Sequence, residues 1–302
     1  MQETEMSSTS MLRLLRLVEQ DHIHITDASR VEKILSNLVA AGKQKLRVIS
    51  DFDQTLSRYA FNGVRCPMSH DVIAQSNLMS EPTRAKVKKV VDYYYPKEIS
   101  LTIPLSEKIQ LMVDFWTQIH DIFLASNLNQ RDISSTIRDS SPPLREGCDT
   151  FMSTLHRHDV PLLVFSAGLG DVIQEMFSKY NMVYPNCRVV SNFMKFDGAG
   201  KLVGFHDPLI HIFNKNKSVL PDESYFTDQR ERTNVILLGD SPGDLQMADG
   251  VPNVENVLKI GYLNAHLDRL DTFTELYDIV LVQDETMDVV NSILKKILDS
   301  QT

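Results

Sequence analysis

Six short apolar runs set the tightest limit on what this chain can fold into: residues 46–50, 161–165, 188–190, 234–238, 257–260 and 279–282. Each has the look of a buried parallel strand. Amphipathic stretches at helical spacing flank them, at 31–41, 149–158, 172–180 and 287–298. Strand and helix alternating in this way predict a parallel sheet covered by helices on both faces. In such α/β sheets, ligands bind beyond the carboxyl ends of the strands, so those ends are where chemistry is expected.

The alternation breaks between about 61 and 140. Stretches 81–94, 106–124 and 130–138 read as helices there, and no convincing strand appears. This predicts a helical insertion that covers the ligand edge of the sheet as a cap, dividing the chain into a catalytic core (1–60 and 141–302) and a cap (61–140). Residues 1–28 hold only a short apolar patch, 11–18, which reads as a loosely docked helix. There is no internal repeat and no low-complexity tract.

Composition narrows the functional classes. At 302 residues, 42% hydrophobic and 24% charged, the chain can bury a large core and is ordinary for a globular protein. No stretch reaches the roughly 18 to 20 consecutive apolar residues of a membrane span, and the N-terminus is acidic and polar. A cytoplasmic location is expected. Cys66, Cys148 and Cys187 are widely spaced and form no CxxC or Cys/His cluster, so reduced thiols are expected rather than disulfides or zinc. A net charge of -9 argues against nucleic-acid polymers, whose binding depends on Lys and Arg neutralising phosphates. A small anionic ligand remains compatible with it if a metal and local cations offset its charge.

Three strand ends carry the chemical signals. Asp51-Phe52-Asp53-Gln54-Thr55-Leu56 follows the first run. In extended backbone the two carboxylates face one side while Phe52 points to the core, offering a nucleophile beside a proton donor. Phe165-Ser166-Ala167-Gly168 follows the second; a hydroxyl and free N–H groups before a helix form an anion cradle. Gly239-Asp240-Ser241-Pro242-Gly243-Asp244 ends the fourth, and its two carboxylates suit a hard, oxygen-ligated cation such as Mg²⁺. Lys215, or its neighbour Lys217, supplies a cation between the second and third signals.

In that order the signals resemble the haloacid-dehalogenase phosphatase pattern, in which Lys215 holds the position of the family lysine. Longer motifs narrow the resemblance: Asp51 to Arg58 with Gly63-Val64-Arg65-Cys66-Pro67, Ser166 to Asp171, Val190-Ser191-Asn192-Phe193-Met194, and Leu238 to Gly250 are similar to cytosolic 5'-nucleotidase III. The similarity runs from about Leu46 to Leu298. It implies a Rossmann-like parallel core with an inserted helical cap and a Mg²⁺-dependent 5'-nucleotidase that hydrolyses nucleoside monophosphates. Asp51 would attack phosphorus to give an aspartyl-phosphate, and Asp53 would protonate the leaving oxygen and then activate water. Asp51, the Asp53 backbone carbonyl and Asp240 would hold Mg²⁺ with Asp244 nearby, and Ser166, Ala167, Gly168 and Lys215 would hold the phosphoryl group.

Within the cap, Glu98 matches a substrate-binding glutamate of the family. Trp116 falls where pyrimidine-selective members carry tyrosine and is similar to the tryptophan of members that accept 7-methylguanosine monophosphate (7-methyl-GMP). A methylated, cationic guanine favours an electron-rich indole face. Helical spacing with Met112, Phe115, Ile119 and Phe123 equally suits a core position for Trp116. The resulting expectation is a monomeric enzyme for 7-methyl-GMP and CMP. The alternatives are a pyrimidine nucleotidase for UMP and CMP, a small-metabolite phosphatase such as a phosphoserine phosphatase, and a silent binding module, with phosphotransfer to a nucleoside as a side activity.

Overall fold

A computed structural model describes residues 10–18, 20–100, 102–140, 142–220 and 224–299. Its strands are β1 (Ile23–His24), β2 (Leu46–Ser50), β3 (Ala60–Phe61), β4 (Val64–Arg65), β5 (Leu162–Leu169), β6 (Cys187–Asn192), β7 (Met194–Phe196), β8 (Leu202–Phe205), β9 (Asn234–Gly239), β10 (Asn256–Leu263) and β11 (Ile279–Val282). Its helices are α1 (Met11–Leu14), α2 (Ala28–Ala41), α3 (Ser69–Ala74), α4 (Glu81–Glu98), α5 (Leu105–Leu124), α6 (Gln130–Ser140), α7 (Cys148–Arg157), α8 (Gly170–Lys179), α9 (Ser224–Thr227), α10 (Leu270–Leu276) and α11 (Asp288–Asp299).

Seven strands form one sheet in the order β1-β11-β10-β9-β2-β5-β6, parallel throughout except for β1, which runs against β11. Every residue of β2 and β9 is buried. That is why both read as mainly apolar runs, with only Arg47, Ser50 and Asn234 polar: a central parallel strand is covered on both faces and has no solvent side to mark with alternating polar residues. From β2 the chain passes to β5 on one side and later returns to β9 on the other. The strand order reverses at β2, and a crevice opens beyond the carboxyl ends at such a switch point.

The mixed α/β fold with a mostly parallel sheet agrees with the expected class. Helices α3 to α6 lie between β2 and β5. Helix α4 starts at Ser80, whose hydroxyl accepts from the Thr83 N–H, and it runs four residues beyond the expected 94 because Pro96 falls in its last turn, where the Ile99 N–H still reaches the Tyr95 carbonyl at 3.2 Å. The expectation of no strand in this stretch is corrected by the hairpin β3–β4. Its Asn62-Gly63 turn has both φ angles positive, 51° and 76°, the geometry that a two-residue hairpin turn needs. Two-residue strands are too short to show alternation, which also hides β1; the short strands β7 and β8 are not legible in the sequence either.

The N-terminal patch is shorter and better anchored than a loosely docked helix over 11–18. Helix α1 covers four residues, Leu12 and Leu17 are buried, and Glu32 accepts hydrogen bonds from Ser10 Oγ (2.8 Å) and the Met11 N–H (2.7 Å). Residues 1–9, part of the same expectation, lie outside the described residues. All three cysteines are free thiols. No described helix is long and apolar enough to cross a membrane.

Candidate active site

Asp51 follows β2 directly, and its N–H donates to the Leu238 carbonyl of β9 at 2.9 Å, which fixes it at the sheet's centre. Phe52 points away into the core, buried and edge-on to Phe177. Asp53 returns to the side of Asp51, as alternation requires. Its carboxylate is taken up by Ser69 at the start of α3: the Ser69 hydroxyl donates to Oδ2 at 2.6 Å and the Ser69 N–H to Oδ1 at 2.7 Å.

Across the crevice, the turn after β9 brings Asp240 and Asp244 to Asp51. One oxygen from each of the three carboxylates lies within 4.8 Å of the others. Asp244 is buried and held rigidly: its Oδ2 accepts from the Asp240 N–H (3.1 Å), the Ser241 N–H (3.0 Å) and the Ser241 hydroxyl (2.8 Å). Buried Lys215 donates to Asp244 Oδ1 at 2.7 Å and to Asp51 Oδ1. Between the two lysines of the 215–217 segment, it is Lys215 that enters the site.

The Asp240 carboxylate accepts no hydrogen bond from a described residue, and neither does the Asp53 backbone carbonyl. One ammonium, that of Lys215, is thus shared among the three carboxylates of Asp51, Asp240 and Asp244. Burial is the main force on these acids: it pushes the Asp51 carboxyl up to about 7, with Lys215 opposing and Asp244 and Asp53 adding to it. Burial likewise raises Asp240 well above the ordinary carboxylate range, reinforced by Asp51 and Asp244. An all-oxygen, charge-rich donor set of this kind fits a hard divalent cation.

The expected anion cradle at 166–168 differs in form from a helix N-terminus. β5 continues to Leu169, and its register against β6 shifts between Phe165 and Leu169. Ser166 and Gly168 occupy this irregular strand end. Ser166 Oγ is buried and accepts from the Gly168 N–H at 3.0 Å, while Ser191 and Asn192 of β6 tie down the Gly168 and Ala167 carbonyls. A Cβ at Gly168 would stand 1.9 Å from Ser69 Oγ and 2.6 Å from Asp53 Oδ2, so only glycine allows the cradle and the Asp53–Ser69 pair to coexist.

Asp51, Asp53, Ser166, Ala167, Gly168, Lys215 and Asp240 line one cavity of about 630 Å³, and so do Glu98 and Trp116 from the helices above the sheet. Trp116 is 6% exposed and meets His70, Phe115 and His120 at ring distances of 5.6, 5.2 and 5.9 Å. It is thus packed in its helix layer, as its helical spacing allows, and is also part of the cavity wall. Glu98 is half-buried, forms no hydrogen bond or ion pair with another described residue, and has its carboxyl raised by burial, with His70 and Lys108 opposing.

Ser69 and Arg145 are not legible in the sequence as site residues. Buried Arg145 donates to the Gln54 and Thr55 carbonyls at 2.5 and 2.8 Å and so clamps the turn that carries Asp53. Ser69 sits in Met68-Ser69-His70-Asp71, which has no motif of its own; a serine at an isolated helix start reads simply as a cap.

The acidic strand ends, the lysine and the sheet topology define the class of protein: a hydrolase with the haloacid-dehalogenase type of α/β fold. A substrate-bound phosphoserine phosphatase shares this fold at 16% identity and a TM-score of 0.50, over 80% of this chain and 94% of that one. The pyrimidine 5'-nucleotidase (UMPH-1) family model matches residues 54–298, and the chain belongs to that family. It is 44% identical to 7-methylguanosine phosphate-specific 5'-nucleotidase A of Xenopus laevis, over 93% of this chain and 97% of that protein. The corresponding human enzyme, 7-methylguanosine phosphate-specific 5'-nucleotidase, is 45% identical over 89% of this chain and 90% of its own length. The crystal structure of cytosolic 5'-nucleotidase IIIB bound to cytidine matches with a TM-score of 0.88 and 34% identity, covering 96% of this chain and 98% of that one. The chain is accordingly a 5'-nucleotidase, and the resemblance to cytosolic 5'-nucleotidase III is borne out.

Proposed function

We propose that this enzyme hydrolyses nucleoside 5'-monophosphates through an aspartyl-phosphate on Asp51, with 7-methyl-GMP the preferred substrate. The observation that carries the reading is that one cavity holds Asp51, Asp53, Ser166 and Lys215 at its floor and Trp116 and Glu98 in its wall. The substrate named by the Xenopus and human relatives supports the choice of base. Residues 61–140 act as the cap that recognises the nucleoside, over a core formed by 1–60 and 141–302. The enzyme works in the cytoplasm as a monomer, binding a small nucleotide rather than a polymer or membrane.

In this mechanism Asp51 attacks phosphorus in line and the P–O bond to the nucleoside breaks. Asp53, whose carboxyl is raised by burial against the opposing Ser69 bonds, donates its proton to the leaving 5'-oxygen. The same carboxylate then takes a proton from the water that hydrolyses the acyl phosphate. Lys215, Ser166 Oγ and the backbone around Ala167 and Gly168 bind the phosphoryl oxygens. Mg²⁺ fits Asp51, the Asp53 carbonyl and Asp240, with Asp244 nearby, and when bound supplies positive charge that offsets carboxylate–phosphate repulsion. A nucleoside hydroxyl reaching the intermediate in place of water gives phosphotransfer as a side reaction.

A second reading, preference for CMP, is favoured by the cytidine in the related crystal structure and by the family description. A phosphate-release screen over nucleoside monophosphates, run with Mg²⁺ and with EDTA, decides between them. The expected result is Mg²⁺-dependent release, highest in kcat/KM for 7-methyl-GMP. Higher kcat/KM for CMP or UMP transfers the proposal to the pyrimidine reading, and turnover in EDTA removes the metal from it.

A further inference from the structure

Residues 264–269, the segment after β10, reach both ends of the cavity; Asn264, Ala265, His266 and Arg269 form part of its wall. At the inner end, buried Asn264 donates through Nδ2 to the Gln54 carbonyl at 3.0 Å and accepts from Arg145 Nη2 at 2.6 Å. Arg145 itself rests on the Tyr262 ring at 4.0 Å. Gln54 adopts a left-handed φ of 63°, a conformation that costs a side-chain-bearing residue about 1 kcal/mol or more unless its surroundings enforce it. Asn264 and Arg145 enforce it, and the residue they hold adjoins Asp53.

At the outer end of the loop, Arg269 Nη2 donates to the Ile99 carbonyl, one residue beyond Glu98 at the end of α4. The Tyr95 hydroxyl, on the same helical turn, lies 3.4 Å from His266 Nε2. This turn needs outside support. Pro96 has no N–H to give to the preceding turn, and the last carbonyls of any helix lack intrahelical partners. A guanidinium there satisfies an orphan carbonyl and meets the negative end of the helix dipole.

We propose that Arg269 is a specificity-positioning residue: by holding the Ile99 carbonyl it fixes the Glu98 turn relative to the Asp51–Asp53 turn, which Asn264 anchors on the same loop. The inference rests on the reading of Glu98 as a nucleobase contact. Anchoring at both Asn264 and Arg269 leaves this short segment, and with it the distance between base and phosphate, little freedom. Loss of the outer bond should therefore affect how well a base is held, and leave the phosphoryl chemistry alone.

The test compares Arg269→Met, Arg269→Lys and Glu98→Gln in the full-length enzyme, reading kcat and KM for 7-methyl-GMP and CMP together with thermal melting. Arg269→Met should raise KM for 7-methyl-GMP by about 10-fold, change kcat by less than about twofold, and shift the 7-methyl-GMP to CMP ratio of kcat/KM in the same direction as Glu98→Gln. Arg269→Lys, which keeps a donor, should recover most of the ratio. If Glu98→Gln moves the ratio and Arg269→Met does not, the proposal fails while the reading of Glu98 stands. If Glu98→Gln leaves the ratio unchanged, that reading fails and the proposal with it. A uniform loss for both substrates in Arg269→Met, with no recovery in Arg269→Lys, identifies a structural role only and overturns the proposal. Should Arg269→Met melt early, Arg269→Gln takes its place, and an unmoved ratio there has the same meaning.

Discussion

At the residue scale, Asp51 and Asp53 are the same acid in two settings, and their partners separate their roles. Asp51 faces Lys215, Asp240 and Asp244, which suits an ionised nucleophile beside a cation; Asp53 faces two donors from Ser69, which orient a carboxyl for proton transfer. Asp51→Asn should lower kcat by about 1,000-fold or more without unfolding, since the amide keeps the shape but not the nucleophile. Full activity in that folded variant would exclude the covalent route. In Asp53→Asn the acyl phosphate should form slowly and persist, which acid-quench labelling of the protein detects; absence of labelled protein during any residual turnover counts against Asp53 as the group that activates water. Trp116→Ala should cost roughly 10-fold in kcat/KM for 7-methyl-GMP and less for CMP, the scale of removing one aromatic face from a cationic base. Trp116→Tyr should retain CMP turnover and reduce the preference. An unchanged ratio in both variants would assign Trp116 to packing against His70 and Phe115 alone.

At the element scale, the irregular end of β5 carries the most demanding packing in the site. Gly168→Ala puts a methyl group where Ser69 Oγ stands, so either the cradle or the Asp53–Ser69 pair must move. We expect a loss of about 100-fold in kcat with a small change in melting, because the displaced groups are few but adjoin the proposed reacting atoms; wild-type kcat in this variant would show that the strand end yields without cost. The same elements explain what the sequence discloses. β2 and β9 are legible because burial on both faces leaves them mostly apolar, with Arg47, Ser50 and Asn234 the buried polar exceptions, and the Asp51 and Asp240 motifs are legible because they follow those strands directly. Ser69 and Arg145 are not, because each acquires its role through partners across the fold: Ser69 lies 16 residues from Asp53 and Arg145 lies 91 residues from Gln54. The hairpin β3–β4 is hidden by brevity, although its Asn62-Gly63 pair carries the turn signal. The expected end of α4 at 94 falls before Pro96; in the last turn the missing N–H costs little, and Glu98 is carried on the extension.

At the scale of the whole molecule, a chain of net charge -9 gathers Asp51, Asp240 and Asp244 around buried Lys215, and its stability must respond to their ionisation. Without metal, the Asp51 carboxyl is raised from 3.8 to about 7, chiefly by burial, and burial likewise holds Asp240 well above the ordinary carboxylate range. A folded-state value above the unfolded one means that the folded chain binds the proton more tightly. The associated stability is fully present below about pH 3.8 and is lost as pH rises toward and through 7. In EDTA the site's contribution to melting temperature should therefore fall between pH 5.5 and 7.5. A divalent cation needs the same carboxylates ionised, so its binding competes with protons and its stabilising effect has the opposite slope. The expected outcome is a Mg²⁺-induced rise in melting temperature that is small at pH 5.5 and several degrees larger at about pH 7.5. Asp240→Asn should flatten both trends, because it removes one ionising carboxyl and one oxygen donor of the cluster at once. Equal Mg²⁺ effects at the two pH values, or a wild-type response in Asp240→Asn, would place the cation away from these three strand-end carboxylates.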